Sequence, residues 1–387
     1  MKIGIDKLGF FTPNLYIDMA KLAHARQEDP NKYLIGIGQE RMAVIPPTQD
    51  VVTMAANAAD KILTDDDKKQ IDFVIFATES GIDNSKAAAV YLARLLGLSS
   101  DIRAIEIKQA CYGATAGIQL AKEHVALFPE RKVLVIGADI ARYGLRTPGE
   151  PTQGGGAVAM LIGANPRILM LSKESTYYTQ DIMDFWRPLG KTEAMVDGKY
   201  SSNIYLEFLE RVWDSYQNKT GLALKDFDGL LFHLPYTKLG LKGLRQIIAG
   251  ADPVLTVRLT QEFENARIFN RIVGNLYTGS LYLSLLSLLH NSERITAGSR
   301  IGLFSYGSGA EAEFYSGVLQ DTFREGLMKI DYARELNQRR EVSITEYEEL
   351  FNNQLYNVET RKLEYKNDPA NFVLTGIEGY QRQYLKK

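Results

Sequence analysis

Five short runs of β-branched and aliphatic residues are apolar on both faces: "FVIFAT" (73–78), "VLVIGAD" (133–139), "AVAMLIG" (157–163), "GLLFHL" (229–234) and "RIGLFSYG" (300–307). A strand wetted on one side alternates apolar and polar residues, so these strands must be covered on both sides. Helical patterns over 85–96, 112–127, 238–249 and 276–290 lie between them and supply the cover, and "MKIGIDKLGFFTP" alternates like a further strand at the N-terminus. The fold class is therefore α/β. One order of events also occurs twice: strand, long excursion, small-residue turn opening a helix, strand, glycine-rich turn. In the first half these are "FVIFAT", "CYGATAGIQLA", "VLVIGAD" and "GGGAVAM"; in the second they are "GLLFHLPYTK", "NLYTGSLYLSL" and "RIGLFSYGSGA". We read a diverged internal duplication, with an N-terminal half over 1–165 and a C-terminal half over 166–387. The latter ends in a charged, helical extension after about residue 325, where "SITEYEELF" has capping-box spacing from Ser343 to Glu346.

Composition narrows the partners. The chain's 45 Lys and Arg nearly balance its 47 Asp and Glu, and a net charge of -2 gives no footprint for nucleic acid or an anionic membrane. One cysteine makes no internal disulfide, and the N-terminus lacks a secretory signal, which points to a cytoplasmic protein. "LYLSLLSLL" is too short to span a bilayer and reads as a buried helix.

That one cysteine, Cys111, opens a helix after a strand-like run, where unpaired backbone N–H groups favour a thiolate and lower the thiol pKa. A lone cysteine is also a common small buried hydrophobe. Two further residues tilt the reading towards chemistry. Glu79 follows the apolar "IFAT", where desolvation raises a carboxyl pKa towards neutrality and suits a general acid/base; the alternative is a loop glutamate capping a helix. His233 sits inside "LLFHLPY", either as a hydrogen-bonded core residue or as a site residue, whereas His24, His124 and His290 have helical surroundings. Lys238 and Lys242, at i,i+4 spacing with Arg245 behind, share one helix face that is either solvated or met by an anion. "TQGGGAVAM" is neither GxGxxG nor a Walker sequence, and close backbone packing explains it better than phosphate binding. No cysteine or histidine cluster has metal-ligand spacing, and no cofactor is called for.

Taken in order, "IGIGQ", "ATES", "EIKQACYGATAGIQLAK", "DIARYG", "GEPTQGGGAVAM", "DFWRP", "MVDGKYS", "FHLPYTK", "GNLYTGSLYLSL" and "LFSYGSG" run through nearly the whole chain. The chain resembles the bacterial type of 3-hydroxy-3-methylglutaryl-CoA synthase, in the thiolase superfamily. Two loops depart from the family pattern: "LGKTEA" (189–194) stands where members carry a TGH-like sequence, and "GLRTPGEPT" replaces a glycine- and asparagine-rich version. The resemblance implies a thiolase-like five-layered αβαβα fold, with helices between and outside two sheets, and a homodimer. It implies condensation of acetyl-CoA with acetoacetyl-CoA and water in the mevalonate route to isoprenoids. Cys111 would carry the acetyl group, Glu79 would enolise it, and His233 with Asn275 would grip the acetoacetyl ketone. Backbone N–H groups near Cys111 and Ser308 would hold the thioester oxygen. Asp29, Thr152, Ser201, Lys238 and Lys242 would meet the CoA portion, while Asp139, Tyr143 and Asp184 match polar positions lining the pocket. Two rival readings stay open at this level: another condensing enzyme of the superfamily, making a β-ketoacyl or β-branched product, and a catalytically silent acyl-CoA-binding protein.

Overall fold

The computed structural model describes residues 1–387. Nine strands form its central sheet: β1 (Ile3–Phe11), β2 (Ile71–Ala77), β3 (Arg103–Ile107), β4 (Lys132–Ala141), β5 (Gly154–Ala164), β6 (Leu169–Thr179), β7 (Gly229–Phe232), β8 (Arg300–Gly307) and β9 (Glu311–Leu319). Their order across the sheet is β7-β8-β9-β6-β1-β5-β4-β2-β3. From the centre outwards, each arm repeats one pattern. In the first, β1 pairs antiparallel with β5, β5 antiparallel with β4, and β4 parallel with β2. In the second, β6 pairs antiparallel with β9, β9 antiparallel with β8, and β8 parallel with β7. The second arm has no counterpart of β3. The duplication read from the sequence is thus a pseudo-two-fold repeat of strand order.

The two expected sheets are one continuous sheet in this chain, joined where β1 meets β6 antiparallel at Gly4↔Met170 and Ile5↔Leu169. The junction needs a glycine, because a β-carbon on Gly4 would lie 1.9 Å from the Leu169 carbonyl oxygen.

Strand alternation sorts the layers. Ile75, Ala77, Val133 and Val135 face inwards with Leu231 and Leu303 of the other arm, around two central helices, α3 (Gly113–Leu127) and α7 (Ser280–Asn291). Residues Ser280 to Leu289 are all buried, as expected of a helix surrounded on every side. On the other faces, Val74, Phe76, Leu134 and Ile136 pack on α1 (Val51–Asp60) and α2 (Ala88–Leu96). Leu230, Phe232, Phe304 and Phe314 pack on α4 (Gly198–Thr220), α5 (Thr237–Ile247) and α6 (Pro253–Ala266). With each arm of the continuous sheet counted as one layer, helices and sheet alternate in five layers.

The C-terminal extension is not helical throughout. Short helices over Phe323–Gly326, Tyr332–Asn337 and Ile344–Asn352 give way to an antiparallel sheet of Arg361–Lys362, Phe372–Glu378 and Gln381–Lys386. "FVLTGIE" has strand alternation, and Glu378 pairs with Gln381 across a two-residue turn. Its Gly379 and Tyr380 have φ of 53° and 63°, the handedness that suits tight hairpins. Ser343 caps the last helix by accepting from the Glu346 N–H at 3.1 Å, but the Glu346 carboxylate turns to Arg340, leaving the capping box half formed.

The central layer should dominate stability. Leu285→Ala, at a site with no exposed surface, should cost about 2–5 kcal/mol by loss of burial and creation of a cavity. Leu120→Ala, 43% exposed on the neighbouring helix, should cost far less. Denaturant midpoints of the two variants check the difference.

Candidate active site

The site forms where the carboxyl ends of β2 and β4 meet the two central helices. The turn after β2 carries Thr78, Glu79 and Ser80, and Asp139 of β4 holds it. Asp139 Oδ1 accepts from the Thr78 hydroxyl (2.9 Å), the Glu79 N–H (2.8 Å), and the Ser80 N–H and hydroxyl (3.0 and 2.8 Å). Its Oδ2 accepts from the Thr278 N–H (3.1 Å) and hydroxyl (2.6 Å) of the second half. Asp139 has no exposed surface and does not line the cavity, so its place is beneath the site.

Cys111 lies on a sharp turn between β3 and α3. Ala110 before it takes φ of 42°, a region that residues with a β-carbon rarely adopt. The Cys111 thiol donates to Glu79 Oε1 at 3.3 Å. Helix α3 begins only at Gly113, and the expected lowering of the thiol pKa does not hold: burial, then the charges of Glu79, Asp139 and Asp184, push it well above its usual value. Burial first, then Asp139, push Glu79 up to about 8, with Arg187 and the Cys111 hydrogen bond pulling the other way. At rest near pH 7 the protonated forms of both groups are therefore favoured.

Cys111 opens into a cavity of ≈ 290 Å³, whose wall also carries Tyr143, Thr152, Ser201, His233, Asn275 and Ser308. His233 follows β7, and its N–H donates to the Phe304 carbonyl at 2.8 Å. Burial takes its pKa down to about 3, so the imidazole is neutral at physiological pH. Asn275 accepts at Oδ1 from the Tyr277 N–H (2.8 Å) and the Ser280 hydroxyl (3.0 Å). Three buried polar atoms of these wall residues have no protein partner: His233 Nδ1, Asn275 Nδ2 and the Tyr277 hydroxyl. Such groups cost stability unless a ligand or water satisfies them. The Gly154 glycine-rich turn brings Asn275 here by close packing, since a β-carbon on Gly154 would sit 2.6 Å from the Asn275 nitrogen.

Asp184 is fully buried and off the cavity wall. It accepts from the Ser201 hydroxyl (2.8 Å), the Tyr306 hydroxyl (2.9 Å) and the Gly309 N–H (2.9 Å), which orients three parts of the rim. Thr152 donates to the Gly149 carbonyl at 2.8 Å. Helix α5 starts at the cavity mouth, where Tyr236 and Leu239 line it; Lys238 is half-buried, Lys242 is exposed, and neither forms a salt bridge. Asp29 is exposed and is not brought to the wall; its Oδ1 accepts from the Asn31 N–H at 2.9 Å in the turn before a π-helix, Lys32–Ile37, that docks on α5. The altered loop at 189–194 reaches other cavities, with Leu189 92% exposed, while Pro148, Gly149 and Thr152 of the other altered loop do line this one.

Sequence reasoning missed Arg187, Phe185 and Tyr277. Tyr143, Phe185 and Tyr277 pack edge to face at 5.8–6.1 Å between centroids and close one side of the cavity. "DFWRP" contained two of the three, but nothing in its spacing shows that Arg187 faces Glu79.

A half-buried cysteine paired with a carboxyl, at the head of a cavity in a duplicated thiolase-like fold, defines an acyltransferase of the condensing type. The chain belongs to the hydroxymethylglutaryl-CoA synthase family: models described as Hydroxymethylglutaryl-coenzyme A synthase N terminal and C terminal match residues 1–167 and 168–252 with 253–386. It is 53% identical over 384 residues to a hydroxymethylglutaryl-CoA synthase of Enterococcus faecalis, covering 99% of this chain and 100% of that one. It is 33% identical over 370 residues to a polyketide-biosynthesis 3-hydroxy-3-methylglutaryl-ACP synthase of Bacillus subtilis, covering 90% and 87%. Among solved structures, an HMG-CoA synthase complexed with CoA matches with a TM-score of 0.97 at 45% identity, covering 100% of both chains. MvaS in complex with 3-hydroxy-3-methylglutaryl coenzyme A matches with a TM-score of 0.90 at 36% identity, covering 100% and 99%.

Because Glu79 helps to raise the Cys111 pKa, Glu79→Gln should make the thiol ionise at lower pH. The inflection in the rate of Cys111 alkylation by iodoacetamide, followed against pH, should move down in the variant.

Proposed function

We propose that this chain condenses acetyl-CoA with acetoacetyl-CoA and water to give 3-hydroxy-3-methylglutaryl-CoA and CoA, as a step towards mevalonate. The observation that carries this reading is the 3.3 Å contact between the Cys111 thiol and Glu79, at the head of a cavity whose wall residues Asn275 and His233 leave the amide nitrogen and Nδ1 without a protein partner.

The Cys111 thiol loses its proton to water, the thiolate attacks the acetyl-CoA carbonyl, and CoA leaves as a thiolate that takes a proton from water. Backbone N–H groups around Cys111 and Ser308 hold the thioester oxygen. Glu79 then removes a proton from the acetyl methyl group; a base with a pKa of about 8 is well matched to operation near neutrality. The enolate carbon bonds to the ketone carbon of acetoacetyl-CoA, and the new alkoxide takes its proton from Glu79. Neutral His233 and the Asn275 amide hydrogen-bond the ketone oxygen, a contact that strengthens as negative charge develops there. Water finally cleaves the Cys111 thioester, leaving a free carboxylate on the product and a thiol on the enzyme. Lys238 and Lys242 meet the CoA phosphates at the mouth, with Thr152 and Ser201 along the arm and Asp29 outermost. No metal or organic cofactor enters these steps.

The relative of greater identity is a CoA-type synthase, at 53% against 33% for the ACP-type one, and this favours CoA esters over carrier-bound chains. No helix is long and apolar enough to cross a membrane, and we place the reaction in the cytoplasm. The homodimer reading draws on β3, an unpaired edge of the nine-stranded sheet with Ile105 37% exposed, which a second copy would cover. Ile105→Pro should then give a monomer by sedimentation.

Acetyl-CoA alone should add one acetyl group to the protein by intact mass, and Cys111→Ala should abolish it. Glu79→Gln should acetylate yet fail to form the carbon–carbon bond. His233→Ala should also acetylate but lose condensation, with kcat lowered and KM for acetoacetyl-CoA raised together. Lys242→Ala should mainly raise KM, by a factor that shrinks at high salt. An active His233→Ala would return His233 to the core.

A further inference from the structure

The last step above needs a water molecule at the Cys111 thioester, at a moment when the product's CoA arm occupies the front cavity. Cys111 lines that cavity and Glu79 does not; Glu79 instead lines two others that Cys111 does not reach, one of ≈ 750 Å³ and, shared with it at Arg187 and Lys191, one of ≈ 220 Å³ that forms a rear chamber. The Sγ to Oε1 contact of 3.3 Å is therefore the partition between a front chamber and a rear one. The rear chamber has room for about seven waters at roughly 30 Å³ each. Its wall carries four cationic side chains, Arg142, Arg187, Lys191 and Arg382, beside Gln49 and Ser80. Two of these wall residues also carry a buried polar atom without a protein partner, Gln49 Oε1 and Arg142 Nε. Asn353 and Gln354, both half-buried just after the helix Ile344–Asn352, also line it.

We propose that this rear chamber is the water inlet for hydrolysis of the Cys111 thioester and the path by which Glu79 exchanges protons with solvent while acyl-CoA blocks the front. This rests on the function proposed above. Water approaches past Ser80 and Arg187, and Glu79 takes one of its protons as the oxygen bonds to the thioester carbonyl carbon. The carbon–sulfur bond breaks, Cys111 leaves as thiolate and recovers the proton from Glu79, and the new carboxylic acid ionises. Arg187 beside Glu79 keeps part of the carboxyl ionised for this purpose.

The test fills the rear chamber from its outer wall, away from every group assigned to binding or catalysis. A series at Asn353, to Ala, Phe and Trp, together with Gln354→Trp, grades the obstruction. Acetylation of Cys111 by acetyl-CoA enters from the front and should stay within about twofold of the unmodified enzyme. Hydrolysis of the isolated acetyl-enzyme should slow in the order Ala, Phe, Trp, by about tenfold or more for Trp. With both substrates, the Trp variants should complete one condensation and accumulate the covalent product on Cys111 by intact mass. Hydrolysis at the unmodified rate in both Trp variants that still acetylate overturns the proposal. A Trp variant that no longer acetylates passes the decision to the Phe variant, whose hydrolysis must be slowed at unchanged acetylation. Failure of the unmodified enzyme to acetylate Cys111 would instead overturn the function reading and the inlet with it, and is recognised before any variant is made.

Discussion

A carboxylate with no exposed surface, Asp139, accepts six hydrogen bonds, and the active site is assembled on it. A buried carboxylate is costly, and burial leaves the Asp139 pKa above its ordinary value even though donors from Thr278, Ser80 and Glu79 pull it down. The donors come from two turns in different halves of the chain, 78–80 and the one carrying Thr278. One side chain therefore fixes the backbone of Glu79 and anchors the turn that follows Asn275. The same charge contributes to the raised pKa of Glu79. Asp139 thus acts on both the position of the base and its proton affinity, on the latter after burial.

The duplication explains why base and binding groups converge. Each half brings a β-strand terminus and a helix N-terminus to the pseudo-two-fold centre, and the first turns of α3 and α7 touch there through Thr115 and Tyr282, whose hydroxyls lie 2.6 Å apart. The first half supplies Cys111 and Glu79, and the second supplies His233 and Asn275. Neither half has both. Sequence drift in one half has kept charged chemistry, while the other offers neutral donors whose buried atoms wait unpaired for a substrate.

Much of this was legible because it follows from local chemistry. Strands buried on both faces announce themselves as uninterrupted apolar runs, and "RIGLFSYG" matches β8 residue for residue. Strand β3, "RAIEI", lies at the sheet edge with exposed and half-buried residues, so its pattern carries little signal. The Leu169–Thr179 and Glu311–Leu319 strands hide behind polar and tyrosine positions that face solvent or the hydrogen-bond network of the core. The terminal hairpin was masked by its charge. In the site, Cys111, Glu79 and His233 stood out because each is chemically odd in its apolar surroundings. Asp139 and Asp184 were legible as polar positions but not as supports beneath the wall, because partners up to 139 residues away define that role. The thiol pKa differs from expectation for a related reason: the helix is visible in the sequence, but the burial that chiefly opposes it, and the three carboxyl groups that add to it, arise from separate segments brought together by the fold.

The central claim is that Glu79, held by Asp139 against Cys111, enolises an acetyl group carried on that sulfur. Acetyl-enzyme formed in D2O without acetoacetyl-CoA, digested and read by mass on the Cys111 peptide, tests this directly. The account predicts that the acetyl methyl group of the unmodified enzyme takes up deuterium, and that Glu79→Gln carries the acetyl group without exchange. Methyl exchange in Glu79→Gln at the unmodified rate would contradict it.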